Sequence, residues 1–247
     1  MPKISVVIPL YNKENFIKET LESVLLQTFT DFEVIVVNDG TTDSSIKVIS
    51  QFSDNRIKLL HQENKGVAAA RNLGIKNTTS KLVAFLDADD YWYPNHLEEL
   101  LKLYDDFPNS GIYCNRYTTK TSSNHFQESL FNGIELKFRG IVPNYFYSNR
   151  PSRITWTSAL MIPKSILEEF GNFNENVSNG QDVELWTKIG IHYPIVLSNK
   201  TTAIYNFNTP NSLTKKNINQ MVDKVANNCS ILTPCICFCF SYLSQSD

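Results

Sequence analysis

Apolar positions in the first hundred residues alternate between two rhythms. Ile4 to Ile8 is a short apolar run closed by Pro9, as a buried strand would be. Ile17, Leu21, Val24 and Leu25 then fall on one face of a helix. Phe32 to Val37 is a second run, rich in Val and Ile, closed by Asn38-Asp39-Gly40. Ser44 to Phe52 reads as a helix with Asp43 as its cap, Ile57 to Leu60 as a third strand, and Val67 to Ile75 as an Ala-rich helix. Leu82 to Leu86 is a fourth strand that ends in Asp87-Ala88-Asp89-Asp90. Pro94 suits a first helical turn, and Leu97, Leu100, Leu101 and Tyr104 continue that helical face.

Repetition of strand and helix predicts an α/β fold with a mostly parallel central sheet flanked by helices. Ligands of such sheets bind outside the carboxyl ends of the strands. Asp39 and the 87–90 cluster follow the second and fourth strands, so both are expected at one crevice. Later residues are less regular. Positions 117–153 are polar and aromatic with few clear periods and read as a long binding excursion. Thr155 to Ile162 returns to strand composition, Val183 to Ile191 is helical after Gly180-Gln181-Asp182, and Ile195 to Tyr205 supplies a further strand.

Composition narrows the class. The chain has 247 residues, 42% hydrophobic and 19% charged, which is the profile of a folded globular protein. Its net charge of -2 offers no general footprint for nucleic acid, so an anionic ligand must be held by local charge or a metal. The first apolar run is too short for a secretory signal, and no stretch approaches the roughly 20 apolar residues that span a bilayer. Cys114 stands alone, while Cys229, Cys235, Cys237 and Cys239 crowd the tail without the paired spacing of a zinc site. Reduced thiols in a cytoplasmic protein are expected, with a tail metal site as the alternative.

Four stretches carry candidate chemistry. Asp87, Asp89 and Asp90 put three carboxylates in four residues, which repel one another unless a cation joins them. At a strand end they suit Mg²⁺ or Mn²⁺, ions that bind through one or two carboxylates plus substrate phosphates. The plain alternative is an acidic helix cap, the role expected of Asp90. Asn38-Asp39-Gly40 supplies ordinary turn chemistry, with Asp39 as a possible acceptor for a base N–H or ribose hydroxyl. Asn64-Lys65-Gly66 and three alanines allow close backbone approach at a helix start, where anions are favoured, and Lys65 and Arg71 add positive charge. Asp182 opens the helix carrying Leu185, Trp186 and Ile189 and is either its cap or a general base.

In this order and at these spacings, these stretches resemble the family 2 glycosyltransferases of GT-A fold. Ile4 to Asn12 is similar to that family's opening strand, Val37 to Asp43 to its nucleotide-binding turn, and Lys65 to Asn72 and Phe85 to Asp90 to its next two signatures. Phe170 to Glu175 and Gln181 to Trp186 are similar to its acceptor-side pair. The resemblance implies a Rossmann-like GT-A domain over 1–214, with a nucleotide-sugar half at 1–116, an acceptor half at 117–214 and an extension at 215–247. It implies a nucleotide-sugar donor, most often UDP-linked, bound by Pro9, Tyr11, Asn12, Asp39, Lys65, Arg71, Asp87 and Ala88. Asp89 then binds the metal and Asp182 is the general base of an inverting transfer to a glycan or lipid-linked acceptor.

One stretch departs from the pattern. Asn206 and Asn208 stand where an Arg and a His are expected, which leaves a further metal or diphosphate contact in doubt and makes Lys215 and Lys216 candidate substitutes. The apolar, Cys-rich stretch 231–243 is a candidate for peripheral contact with the inner membrane face, or for a last element packed on the domain. Two rivals remain. A sugar nucleotidyltransferase is opposed by the absence of glycine in Leu10 to Asn15, and a non-catalytic binding subunit by the retention of Asp87, Asp89 and Asp182. No G-x-G-x-x-G follows the first strand, which disfavours a dinucleotide oxidoreductase.

Overall fold

A computed structural model describes residues 1–122, 125–207 and 209. The first half follows the apolar rhythm closely. β1 (Ile4–Leu10), β2 (Phe32–Asp39), β3 (Ile57–Gln62) and β4 (Leu82–Phe85) are joined by α1 (Ile17–Leu25), α2 (Ser45–Ile49) and α3 (Val67–Lys76). These four strands are parallel, in the order β3-β2-β1-β4. β1 and β2 are buried along their whole length, which explains their unbroken apolar runs.

The chain adds β2 and β3 on one side of β1 and then crosses to place β4 on the other. The strand order therefore reverses at β1, and a crevice opens between the carboxyl ends of β1 and β4. This switch point, set by topology alone, fixes where the acidic turn after β4 must lie.

Beyond β4 the sheet continues through a short β5 (Tyr91–Trp92), α4 (His96–Asp106), β6 (Ile112–Ser122) and β7 (His125–Glu128). β8 (Gly140–Ile141), α5 (Tyr145–Ser148), a 3-10 turn at Thr157–Ala159, β9 (Leu160–Pro163), α6 (Lys164–Phe170), α7 (Gln181–His192) and β10 (Ile195–Asn206) complete it. The full order is β3-β2-β1-β4-β9-β6-β10-β5, with β7 on β6 and β8 on β10. β9 runs against β4 and β6, and β5 against β10, so the expected mostly parallel sheet carries two reversed strands along this path.

Several expectations need correction. The stretch 117–153 is not an irregular excursion, because it holds most of β6 together with β7, β8 and α5. Strand structure in the 155–162 stretch is confined to Leu160 onward, since the 3-10 turn precedes it, and α6 follows directly. The helix expected over 44–52 is only five residues long, although Asp43 Oδ1 does accept the Ser45 N–H at 2.9 Å. α4 begins at His96, two residues after Pro94. The division at 116/117 falls inside β6, and residues Met1–Phe207 form one compact unit.

Two features bind the sheet to its helices and edge. A β-carbon added to Gly74 of α3 would lie 2.4 Å from Val7 Cγ1, so α3 sits closer to β1 than any other residue there allows. At the amino end of the sheet the buried Glu33 accepts hydrogen bonds from Ser5, Lys58 and Thr79. Burial pushes its carboxyl up, but these donors outweigh it and hold the pKa at about 2. Cys114 is a free buried thiol in β6. The tail cysteines, Asn208, Lys215, Lys216 and the stretch 231–243 lie outside the described residues. Among the described residues no helix is long and apolar enough to cross a membrane.

Candidate active site

The carboxyl ends of β2, β1 and β4 lie side by side, which brings Asp39 and Asp87 to the same edge of the sheet. Asp39 ends β2 and is buried. Its Oδ1 accepts from Gln62 Nε2 at 2.7 Å and from the Lys65 N–H at 2.8 Å, and its Oδ2 accepts from the Gly66 N–H at 2.9 Å. Gly66 takes φ of 90° at the start of α3, a left-handed conformation that favours glycine. Asp39 thus ties β2 to the loop that opens α3. The Lys65 side chain remains exposed, and a cleft of about 570 Å³ opens beside this knot, lined in part by Gln62, Lys65, Asn72 and Glu175.

The loop after β1 is laced to the turn after β2. Asn12, at φ of 51°, accepts the Thr42 N–H at 2.9 Å and donates its own N–H to Thr41 Oγ1 at 3.2 Å. Pro9 is buried within β1, and Tyr11 is 46% exposed at the crevice rim.

The three carboxylates after β4 meet three different solutions to their mutual repulsion. Asp87 Oδ1 accepts from Arg71 Nη2 at 2.6 Å. Arg71 is itself buried, its guanidinium lies 5.3 Å from the Phe173 ring centre, and its Nε and Nη1 find no partner. Asp89 Oδ2 meets the Lys13 ammonium at 2.6 Å. Asp90 turns inward and is 1% exposed; its Oδ2 accepts from Ser158 Oγ at 2.5 Å and its Oδ1 from the Asn206 N–H at 2.9 Å. Burial, reinforced by the Asp89 and Asp87 charges, pushes its carboxyl well above the usual range. The cap role expected of Asp90 is therefore wrong, because this side chain bolts the acidic turn to the 3-10 turn and to the end of β10. Ala88 is buried, and its carbonyl accepts from Thr20 Oγ1 at 3.0 Å.

The reversed strand β9 brings residues from later in the chain to the same place. Its leading 3-10 turn puts Ser158 Oγ 3.1 Å from the Asp87 N–H, and Thr157 Oγ1 donates to Asp182 Oδ2 at 3.3 Å. Asp182 lies in the first turn of α7 without capping it; Gly180 takes the cap position with no side-chain bond. Leu185, Trp186 and Ile189 are buried as their spacing requires. Asn206, standing where an arginine was expected, ends β10 beside the acidic turn, and its Nδ2 lies 3.4 Å from the Tyr91 hydroxyl.

Sequence reasoning missed Lys13, Gln62, Thr157 and Ser158. Lys13 was legible in part, as the first cation after β1 at the edge that the strand order marks. Ser158 carried no local signal, since its partners are about seventy residues earlier.

A hard divalent cation suits this donor set. A cation, the Lys13 ammonium, already stands at Asp89, and such ions need only one or two carboxylates when phosphates supply the rest. Among the described residues no cluster of three His, Cys, Asp or Glu side chains is arranged to hold a metal unaided.

Comparison with known proteins identifies the family and the fold. The family model described as Glycosyl transferase family 2 matches residues 5–171. A protein of Rickettsia felis named as an uncharacterized glycosyltransferase is 36% identical over 193 residues, which cover 76% of this chain and 30% of that protein. Glycosyltransferase GlyA of Streptococcus pneumoniae is 38% identical over 126 residues, covering 50% of this chain and 18% of its own length. The chain thus spans under a third of either relative. Residues 1–349 of S. aureus TarS, solved in complex with UDP-GlcNAc, superpose with a TM-score of 0.73 at 22% identity, covering 86% of this chain and 60% of that one. The same protein in complex with UDP gives 0.69 at 24% identity.

Proposed function

The chain belongs to glycosyl transferase family 2, and from that premise we propose that it moves a sugar from a UDP-sugar to an acceptor hydroxyl with inversion at the anomeric carbon. Support for the donor comes from the TarS complexes with UDP and UDP-GlcNAc, which share this fold.

In this reading Tyr11, Pro9 and Asn12 line the base pocket together with the 38–43 turn. Asp39 holds the loop beneath the base and retains one of its roughly four lone-pair positions for a base N–H. Arg71 is buried, and its Nη2 fixes Asp87 at the edge where the diphosphate would lie. Lys65 adds charge at the mouth, and Ala88 shapes the floor between the half-buried carboxylates of Asp87 and Asp89. Asp89, with Asp87 beside it, would hold Mg²⁺ or Mn²⁺, which supplies positive charge to the departing diphosphate.

Asp182 is the general base. It takes the proton of the acceptor hydroxyl as that oxygen forms its bond to the sugar's C1. The bond from C1 to the diphosphate oxygen breaks on the opposite face, which inverts the centre. Thr157 holds the carboxylate toward the acidic turn. A glycan or lipid-linked acceptor on the cytoplasmic side, in surface polysaccharide synthesis, is the partner that suits this chemistry.

The observation that carries the proposal is the meeting of Asp39, the Arg71–Asp87 and Lys13–Asp89 pairs and Thr157–Asp182 around one switch point. A binding screen of UDP-, GDP- and dTDP-sugars with and without Mn²⁺ tests it. UDP-sugar binding that needs Mn²⁺ and disappears in Asp89→Ala is expected. Metal-independent binding that survives this substitution refutes the metal site.

A further inference from the structure

The residue that stands at Asp89 has a consequence for how the site fills. Lys13 follows β1 and Asp89 follows β4, so their ion pair spans the crevice at the strand reversal. Its backbone is fixed, because the Lys13 N–H donates to Ser45 Oγ at 2.9 Å. The two side chains are only 18% and 16% exposed, which keeps much of the solvent screening away. An ammonium 2.6 Å from Asp89 Oδ2 and a Mg²⁺ or Mn²⁺ ion, which needs a carboxylate oxygen at about 2.1 Å, repel each other across one carboxylate group.

We infer that Lys13 holds Asp89 as an internal counter-cation and thereby makes divalent-ion binding depend on the nucleotide diphosphate. This inference rests on the metal-assisted reading above. An ion entering alone must displace the ammonium from Asp89 or bind against its repulsion. The carboxylates around it are already engaged: Asp87 by Arg71, Asp90 by Ser158 and the Asn206 N–H, Asp43 by Ser45 and the Glu14 N–H, and Glu19 by the Tyr91 hydroxyl. The Phe16 ring, 6.0 Å away, offers only a weak substitute. An ion entering with a diphosphate brings the negative charge that the displaced ammonium requires. Linkage makes the effect mutual, so the ion tightens the nucleotide by the same factor. Lys13 is in this sense a positioning residue for the metal and not a ligand to it.

Mn²⁺ binding to the full chain, read from the free-ion electron paramagnetic resonance signal with and without UDP, tests the inference. Lys13→Met should bind Mn²⁺ roughly tenfold more tightly than the parent when UDP is absent. The tightening that UDP confers should shrink by the same factor, and Lys13→Arg, which keeps the charge, should behave as the parent. Equal nucleotide-free affinities in Lys13→Met and parent, with UDP-dependent binding intact, overturn the role of Lys13 and leave the metal site standing. Tighter Mn²⁺ binding with an undiminished UDP effect also overturns it, because general loss of positive charge then explains the change. No Mn²⁺ binding to any of these proteins, with or without UDP, removes the metal site and the inference together.

Discussion

Asp39→Asn is the substitution that best separates two roles for the β2 carboxylate. The side chain keeps its size, but one acceptor oxygen becomes an NH₂ group. Three donors converge on this carboxylate in a buried setting: Gln62 Nε2, the Lys65 N–H and the Gly66 N–H. An asparagine oxygen can keep the pair shared by Gln62 and Lys65, and the new NH₂ then faces the Gly66 N–H. Hydrogen bonds to a charged group contribute about 1.5–3 kcal/mol, and a stranded buried donor costs about 1–3 kcal/mol. A loss near 2 kcal/mol is therefore expected, roughly a thirtyfold fall in the folded-to-unfolded ratio. Urea unfolding measures the loss, and calorimetric titration with UDP measures what becomes of the site. Both stability and UDP affinity should fall, because the freed loop carries the start of α3. A variant within about 0.5 kcal/mol of the parent that still loses UDP would mean that Asp39 acts on the nucleotide directly and that the loop knot carries no weight.

Asp182→Asn should leave donor binding unchanged while sugar transfer falls by roughly 10²–10⁴, as loss of a general base requires; unaltered turnover in a radiolabelled-sugar assay would exclude the assignment. Ser158→Ala strands the Asp87 N–H and removes a donor from Asp90, at a cost of about 1–3 kcal/mol in thermal unfolding, and an unchanged melting temperature would show that the bridge is weak. Acid should expose Glu33. Its folded carboxyl titrates at about 2 against an ordinary 4.5, so its contribution is complete above 4.5 and is lost as pH falls through 2. That contribution is on the order of 3 kcal/mol, and Glu33→Gln should flatten the decline in stability between those pH values; an unaltered acid-unfolding profile contradicts it.

The first half of the fold was legible because its signals are local. β1, β2 and β4 are buried on both faces and spell continuous apolar runs, and α1 and α4 carry one clean apolar stripe each. β6 escaped notice for the opposite reason. It buries Asn115, Arg116 and Thr118, and the Arg116 guanidinium is met by the carbonyls of Ser129 and Glu135, contacts that no local pattern announces. Three nearby carboxylates drew attention to the turn after β4, but the sequence did not say which would face inward. The inward turn of Asp90 has no local signal because its partners, Ser158 and the Asn206 N–H, arrive from a 3-10 turn and a strand much later in the chain. Lys13 passed unremarked because a single lysine in a polar loop carries no pattern until strand order sets it opposite Asp89.

The tight seat of Gly74 against Val7 reaches further than packing. Gly74 lies two turns along the helix that starts at Gly66 and presents Arg71, so the spacing of that helix from β1 sets the height of both above the crevice. A single methyl group there lifts the helix like a shim under a hinge. On the proposed reading such a lesion touches no ligand, yet its expected phenotype is a donor-binding defect, and a survey of variants would score this inner glycine among the residues that grip the nucleotide.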